Sequence, residues 1–300
     1  MRKMRKTDAL TLRMMPVIFS LLLNGPFQLN AQAKDSIIVK KNVTKVVTRS
    51  AAIYAAGMAT LSLAWYDQNR QSFTWFDDTE EWKQMDKAGH FFTTFHVSRV
   101  MSANFRKAGL NTNKAALAGS LSSFLALTSI EILDGYAPRY GASTSDIGAN
   151  LIGGLFYFFQ RNKENDPLFY PKFSFYPSNL ASRRPEMLGK NFSEQILKDY
   201  NGQTYWLSVD MDQISTFPVW LNVAIGHGAT GMIYARDEQN NEVGLSPYRK
   251  WYLGLDIDLS DIQTKRRLLR QIFSVVRIIR IPAPAIEFSN GKFTISPLGF

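Results

Sequence analysis

The chain has 300 residues, of which 45% are apolar, a formal net charge of +10 and no cysteine. That is enough apolar material for one large domain or two small ones, and it argues against global disorder. Without a thiol, these residues cannot form disulfides, thiolate metal sites, a cysteine nucleophile or a lipidated cysteine.

Residues 1–33 fit a secretory signal peptide. Arg2, Lys3, Arg5 and Lys6 precede the apolar run Met14–Leu23, Asn24-Gly25-Pro26 breaks it, and Ala31-Gln32-Ala33 has the small-x-small cleavage pattern. The run is short for a bilayer span. With Arg13 and Asp8 included this segment carries +4, so an exported chain keeps +6, spread along its length. Export to the periplasm or outer membrane of a Gram-negative-type envelope makes nucleic acid a poor match for that charge. Membrane lipid, through anionic head groups, or another envelope component suits it better.

Residues 34–164 read as a helical domain. The first helix is expected over Val43–Trp65, and Ser50–Tyr66 holds no charge. Asp67–Met85 reads as a loop whose aromatics Trp75, Phe76 and Trp82 suit an interface with a membrane or another domain. A second helix spans Asp86–Ala108, with Gly109 at its C-terminal cap. The third starts near Asn113 as N-cap and runs to about Leu133, where Asp134-Gly135 and Pro138 end it. The fourth follows Ser143 and Ser145 and runs to Arg161. Ala115, Gly119 and Ser123 recur every four residues, as do Ala149 and Gly153. Such spacing lets backbones approach closely, in membrane helix pairs and in soluble bundles alike. The uncharged runs, some 17 residues at most, sit at the lower edge of spanning length.

Residues 165–300 change character. Pro167, Pro171 and Pro177 suggest a linker or extended arm. Leu253, Leu255, Ile257 and Leu259 alternate with polar or small residues, the period-2 mark of a half-buried strand. Ile286 and Phe288, then Asn290-Gly291, then Phe293 and Ile295 form a hairpin signal, and Val219–Ile225 is a weaker strand. Ile262–Arg280 reads as a basic amphipathic helix with Leu268, Leu269, Ile272, Val276 and Ile279 on one face. Such a helix suits a membrane surface, but an ordinary helix packing its apolar side on the sheet is the favoured reading. The fold class is therefore α+β: a four-helix bundle, then antiparallel strands with one amphipathic helix.

Three of these helices each carry a spaced polar pair: Asp86 with His90, Glu131 with Asp134, and Asp146 with Asn150. Residues three or four apart share a helix face. In an up-and-down bundle the start of the second helix, the end of the third and the start of the fourth lie at one end, so all six converge. Such a cluster can bind a ligand through all six residues. It can also take a divalent metal on Asp86, His90, Glu131 and Asp146, or work as acid and base through His90, Glu131 and Asp134. A purely structural polar network is the fourth alternative. Lys87 and Arg139 are available counter-charges. His96 lies off this face and reads as packed or surface, and His227, between Gly226 and Gly228, as a turn residue. No Gly-x-Ser-x-Gly context, phosphate-cradling loop or dinucleotide fingerprint is present.

The segments Asp86-Lys87-Ala88-Gly89-His90, Glu131-Ile132-Leu133-Asp134-Gly135 and Ser145-Asp146-Ile147-Gly148-Ala149-Asn150 with Gly153-Gly154 resemble a bacterial domain of unknown function typified by the YfiM-like periplasmic lipoproteins. The same order of motifs is similar to VanZ-like membrane proteins, whose members include a glycopeptide-resistance accessory protein. The resemblance covers about residues 80–160. It implies an envelope location and no particular activity. The expected role is binding or scaffolding at a membrane. The alternatives are a metal-assisted hydrolase of an envelope component and an outer-membrane β protein, the latter hinted at by the terminal Phe300 and the alternating strands but short of strands for a barrel.

Overall fold

Helices form here where small and apolar residues recur at helical spacing, and they stop at glycine or polar caps. The computed structural model describes residues 33–65, 71–137, 141–160, 167–259 and 266–299. The expected signal-peptide segment before Ala33, Pro138, Arg139 and Phe300 lie outside them. The fold is α+β, with helices in the N-terminal half and a six-stranded antiparallel sheet after them.

Helix α1 runs Ala33–Trp65, starting ten residues before the expected Val43. The lysines of its first part are good helix formers, and no glycine or proline interrupts the chain before Gly57. Strand β1 (Trp75–Phe76) and a short 3₁₀ turn (Glu81–Gln84) interrupt the expected loop, which is otherwise irregular over its described residues. Trp75 and Phe76 are exposed, whereas Trp82 packs on Tyr200 of the sheet half. Helix α2 (Met85–Lys107) closes in a Schellman motif: Leu110 N donates to Phe105 O and Gly109 N to Arg106 O, with Gly109 at φ +105°. Helix α3 (Thr112–Asp134) is capped by Asn111, not Asn113, since the turn at Gly109 leaves Asn111 as the extended residue whose side chain accepts from Lys114 N at 2.9 Å. By length and composition α3 is apolar enough to cross a membrane. Strand β2 (Ala142–Ser143) pairs in parallel with β1, and α4 (Thr144–Phe159) follows with Ser143 as its cap.

Small residues set the distance between these helices. A Cβ on Gly119 would lie 2.6 Å from Ser102 N, and one on Gly153 would lie 2.5 Å from Phe91 O. Helix α2 therefore sits almost backbone to backbone on both α3 and α4.

The sheet runs in the order β3 (Phe169–Phe175), β4 (Gln203–Val209), β5 (Leu221–Thr230), β6 (Tyr248–Ile257), β7 (Ala285–Ser289) and β8 (Lys292–Ser296). Helices α5 (Pro185–Leu188), α6 (Phe192–Lys198), α7 (Asp237–Glu242) and α8 (Arg267–Val276) lie between strands. The β7–β8 hairpin turns at Asn290 and Gly291, both at positive φ, as its sequence signal implies. The expected linker is instead strand β3. Its Pro171 is tolerated because β3 is an edge strand. His227 is not in a turn but in mid-strand β5, stacked on Trp251. Gly226 beside it makes room for the Trp206 ring, 2.7 Å from where a Cβ would stand.

The sheet buries charge on its inner face, beside an apolar cluster of Trp206, Ala224, Tyr252 and Ala285. Lys172 Nζ meets Asp256 Oδ2 at 2.6 Å, both fully buried, and Arg277 Nε meets Asp258 Oδ2 at 2.8 Å. Arg280 lies over Trp206 at 3.8 Å and donates to the carbonyls of Leu255 and Ala283 at 2.9 Å. The segment around it also bonds the outer edge of β3, Phe173 N donating to Ile278 O and Arg280 N to Phe173 O. Helix α8 is shorter than the expected Ile262–Arg280, and its Leu268, Ile272 and Val275 are exposed instead of packed on the sheet.

Gly119→Ala and Gly153→Ala should each destabilise the protein by about 1–3 kcal/mol, since neighbouring backbone must move to admit a methyl. Gly148→Ala, with nothing within 4 Å, should be neutral or slightly stabilising. Denaturant midpoints of the three variants measure both outcomes.

Candidate functional site

The polar residues meet where α2 begins, α3 ends and α4 begins. Helix periodicity puts Asp86 and His90 on one face of α2, and Asp146 and Asn150 on one face of α4. The β1–β2 bridge adds a participant that helical spacing did not reveal. It holds Asp78 against the cap of α4, where Ser143 and Ser145 donate to Asp78 Oδ1 at 2.6 Å each.

Two adjoining subsites result. In the first, Lys87 Nζ sits among Asp78 Oδ2 at 2.6 Å, Asp86 Oδ2 at 2.7 Å and Asp146 Oδ1 at 3.1 Å. One ammonium already in place thus offsets part of the repulsion among three carboxylates. In the second, His90 Nε2 faces Glu131 Oε1 at 3.5 Å and Asp146 Oδ2 at 3.7 Å. His90 Nδ1 meets the amide oxygen of fully buried Asn150 at 3.1 Å, and Thr94 Oγ1 meets the same oxygen at 2.9 Å. An amide oxygen only accepts, so Nδ1 donates to Asn150, and Nε2 is directed at the two carboxyls. The donor atoms of His90, Glu131 and Asp146 all lie within 4.8 Å of one another.

Burial dominates the electrostatics. Burial pushes the Glu131 carboxyl up to about 9, helped by the nearby charges of Asp146 and Asp134. Asp86 is pushed up to about 6 by burial, with Lys87 opposing. Asp146 is raised by burial against the pull of His90 and Lys87. Asp78 is also partly buried, yet hydrogen bonds from Lys87, Ser143 and Ser145 hold it down at about 2. For Lys87, burial works against the charge, but Asp86 and Asp146 keep it above the usual lysine range.

Five of the six expected residues, Asp86, His90, Glu131, Asp146 and Asn150, therefore converge. Asp134 lies close enough to raise Glu131 but is outside the groups whose oxygens could share an ion. Asp78 and Thr94 were missed. A carboxylate in the loop before α2 was the available signal for Asp78. Thr94, one turn beyond His90, had none beyond its spacing. His96 is buried, donates Nε2–H to Pro171 O at 2.8 Å, and is pushed down to about 4 by that burial. A surface cleft between Pro177–Leu180, Gly202–Thr204 and Gly228–Thr230 lies on the sheet half and shares no residue with the cluster.

A family model described as a predicted periplasmic lipoprotein (DUF2279) matches residues 72–161. Those residues contain the whole cluster. The chain is similar over that stretch to an uncharacterised periplasmic lipoprotein family, and the match supports an exported protein of the periplasm or envelope. No curated protein and no solved structure matches the chain.

A carboxyl whose folded pKa is raised holds its proton longer than in the unfolded chain, so its effect on stability worsens as pH rises between the two values. For Glu131 that window runs from the ordinary 4.5 to about 9, and Asp86 acts in the same direction from 3.8 to about 6. Thermal melts in metal-free buffer should show the midpoint falling across this range. Glu131→Gln should flatten the decline.

Proposed function

We propose that this envelope protein is a binding protein whose helical half holds a divalent cation on His90, Glu131 and Asp146. The observation that carries the reading is the fixed imidazole. Asn150 orients the ring through Nδ1, leaving Nε2 directed at two carboxylates that come from two other helices. An outer-sphere partner of this kind is how metal-binding histidines are usually held. Glu131 adds to the case. It is buried, among the described residues it faces only His90, and it stands apart from the ammonium that Asp78, Asp86 and Asp146 share, so burial pushes its carboxyl up to about 9 and it holds its proton. A divalent ion would displace that proton and compensate the charge it leaves.

One imidazole and two carboxylates suit Zn²⁺ or Mn²⁺. Three protein donors leave a coordination position open, and His90, about a quarter exposed, marks the side from which an oxygen of an envelope component would reach it. The same open position is the feature that metal-assisted hydrolysis would use.

Calorimetric titration of the metal-stripped mature chain with Zn²⁺ and Mn²⁺ tests the proposal. One ion per chain should bind, with affinity rising from pH 6 to 8 as protons leave the carboxyls. His90→Ala should abolish binding or weaken it at least tenfold, and Asn150→Ala should weaken it about 10–100-fold while leaving one ion per chain. Absence of binding by either ion at millimolar concentration would leave only a structural polar network.

A further inference from the structure

The sheet of this protein is inverted relative to that of an ordinary water-soluble domain, and the geometry points to the hydrocarbon layer of a lipid bilayer as what covers its outer face. Register alone builds that face. Ile225, Leu253, Ile286 and Ile295 are successive cross-strand neighbours over β5–β8, and Trp251, Phe288 and Phe293 form the next row. Leu253 is 52% exposed, Ile286 48% and Ile295 80%. Leu255, one step further along β6, is exposed as well. Neither row contains a charged residue. The charges sit on the other side: Lys172, Asp256, Asp258, Arg277 and Arg280 are all sealed within the inner face. In water the reverse arrangement is favoured, because burying a charge costs more than exposing it. Apolar residues outside and polar residues inside is the pattern of strands whose outer surroundings are lipid.

An independent element points the same way. Helix α8 presents Leu268, Ile272 and Val275 at intervals of four and three, one helical stripe, and all three are exposed, as is Ile279 in the bridge that follows. Ile279 adjoins the outer edge of β3, so this apolar surface ends at the rim of the sheet. An amphipathic helix that leaves its apolar stripe uncovered by its own fold is the form that lies in a membrane interface. At the Tyr248 end of β6 the outward-facing positions continue from Trp251 to exposed Arg249, a cation beside the apolar band that complements anionic lipid head groups.

The band is long enough to enter a bilayer: from Trp251 to Ile257 it runs about 20 Å, a substantial part of the ~30 Å hydrocarbon thickness.

Flotation of the full mature chain with vesicles tests this, using phosphatidylcholine alone and phosphatidylcholine with one-fifth phosphatidylglycerol. The wild type should float with both, more strongly with the anionic mixture, and 1 M salt should not release it. Leu253→Asp with Ile286→Asp should raise the lipid concentration for half-binding at least tenfold with an unchanged circular dichroism spectrum, because both side chains already face outward. Leu268→Asp with Val275→Asp should weaken binding severalfold. Acyl-chain-brominated phosphatidylcholine should quench the wild-type tryptophan emission, and Trp251→Phe should reduce the quenched fraction, a readout that survives if the Asp variants misfold. The proposal is overturned if the wild type stays in the aqueous fraction as a monomer or dimer. It is equally overturned if both Asp pairs float like the wild type, or if bromolipid quenching does not depend on Trp251.

Discussion

The burial of one ammonium among three carboxylates is the constraint on which the helical half depends. Lys87 draws together Asp78 from the loop after β1, Asp86 from its own helix and Asp146 from α4. Removing the lysine would leave three shielded negative charges facing one another, a far larger cost than the loss of one exposed ion pair. Because Asp146 spends one oxygen on Lys87 and turns the other toward His90, the same interaction places the second subsite. Charge compensation and site geometry are therefore one arrangement.

Close backbone contact makes that arrangement possible. Gly119 and Gly153 allow α3 and α4 to approach α2 to within a distance that no side chain would permit. Carboxylates anchored on helices so close together have little room to separate, which is why burial dominates their proton affinities. The sheet half meets the same problem differently. Lys172, Asp256, Asp258 and Arg277 pair inside it, with Arg280 satisfied by backbone carbonyls and the Trp206 ring.

Much of the helical half was legible in the sequence, because its signals are local. Four helices, the Gly109 terminus and the Ser143 cap follow from spacing and from capping chemistry within a few residues. The convergence of the polar pairs needed only an up-and-down topology. Asp78 was not legible because its place depends on the two-residue bridge between β1 and β2, a long-range contact with no periodic trace. Strands β3 and β4 were hidden for a related reason. Their alternation sets Lys172 and Ser174, or Thr204 and Ser208, against apolar residues, but the polar positions face inward, and Pro171 falls on an edge strand. A reading that assumes an oily interior assigns such segments to loops. Helix α8 was expected to pack on the sheet by that same assumption.

The entry to α2 carries a last implication. Trp82, Lys83 and Gln84 all have left-handed backbone angles, φ 50°, 54° and 63°, although none is glycine. Each such residue costs on the order of 1–3 kcal/mol unless something else holds it. Each has a holder from the later half of the chain: Trp82 N donates to Ala235 O at 2.8 Å, Lys83 pairs with Asp237, and Arg249 bonds Gln84, which also donates to Thr79 O at 2.7 Å. Asp86 and Lys87 follow directly on this coiled stretch. The first turn of α2 is thus set like a spring against a catch, the spring in one half of the molecule and the catch in the other. The cluster is for that reason a property of the whole chain, including residues far beyond the helices that supply its side chains.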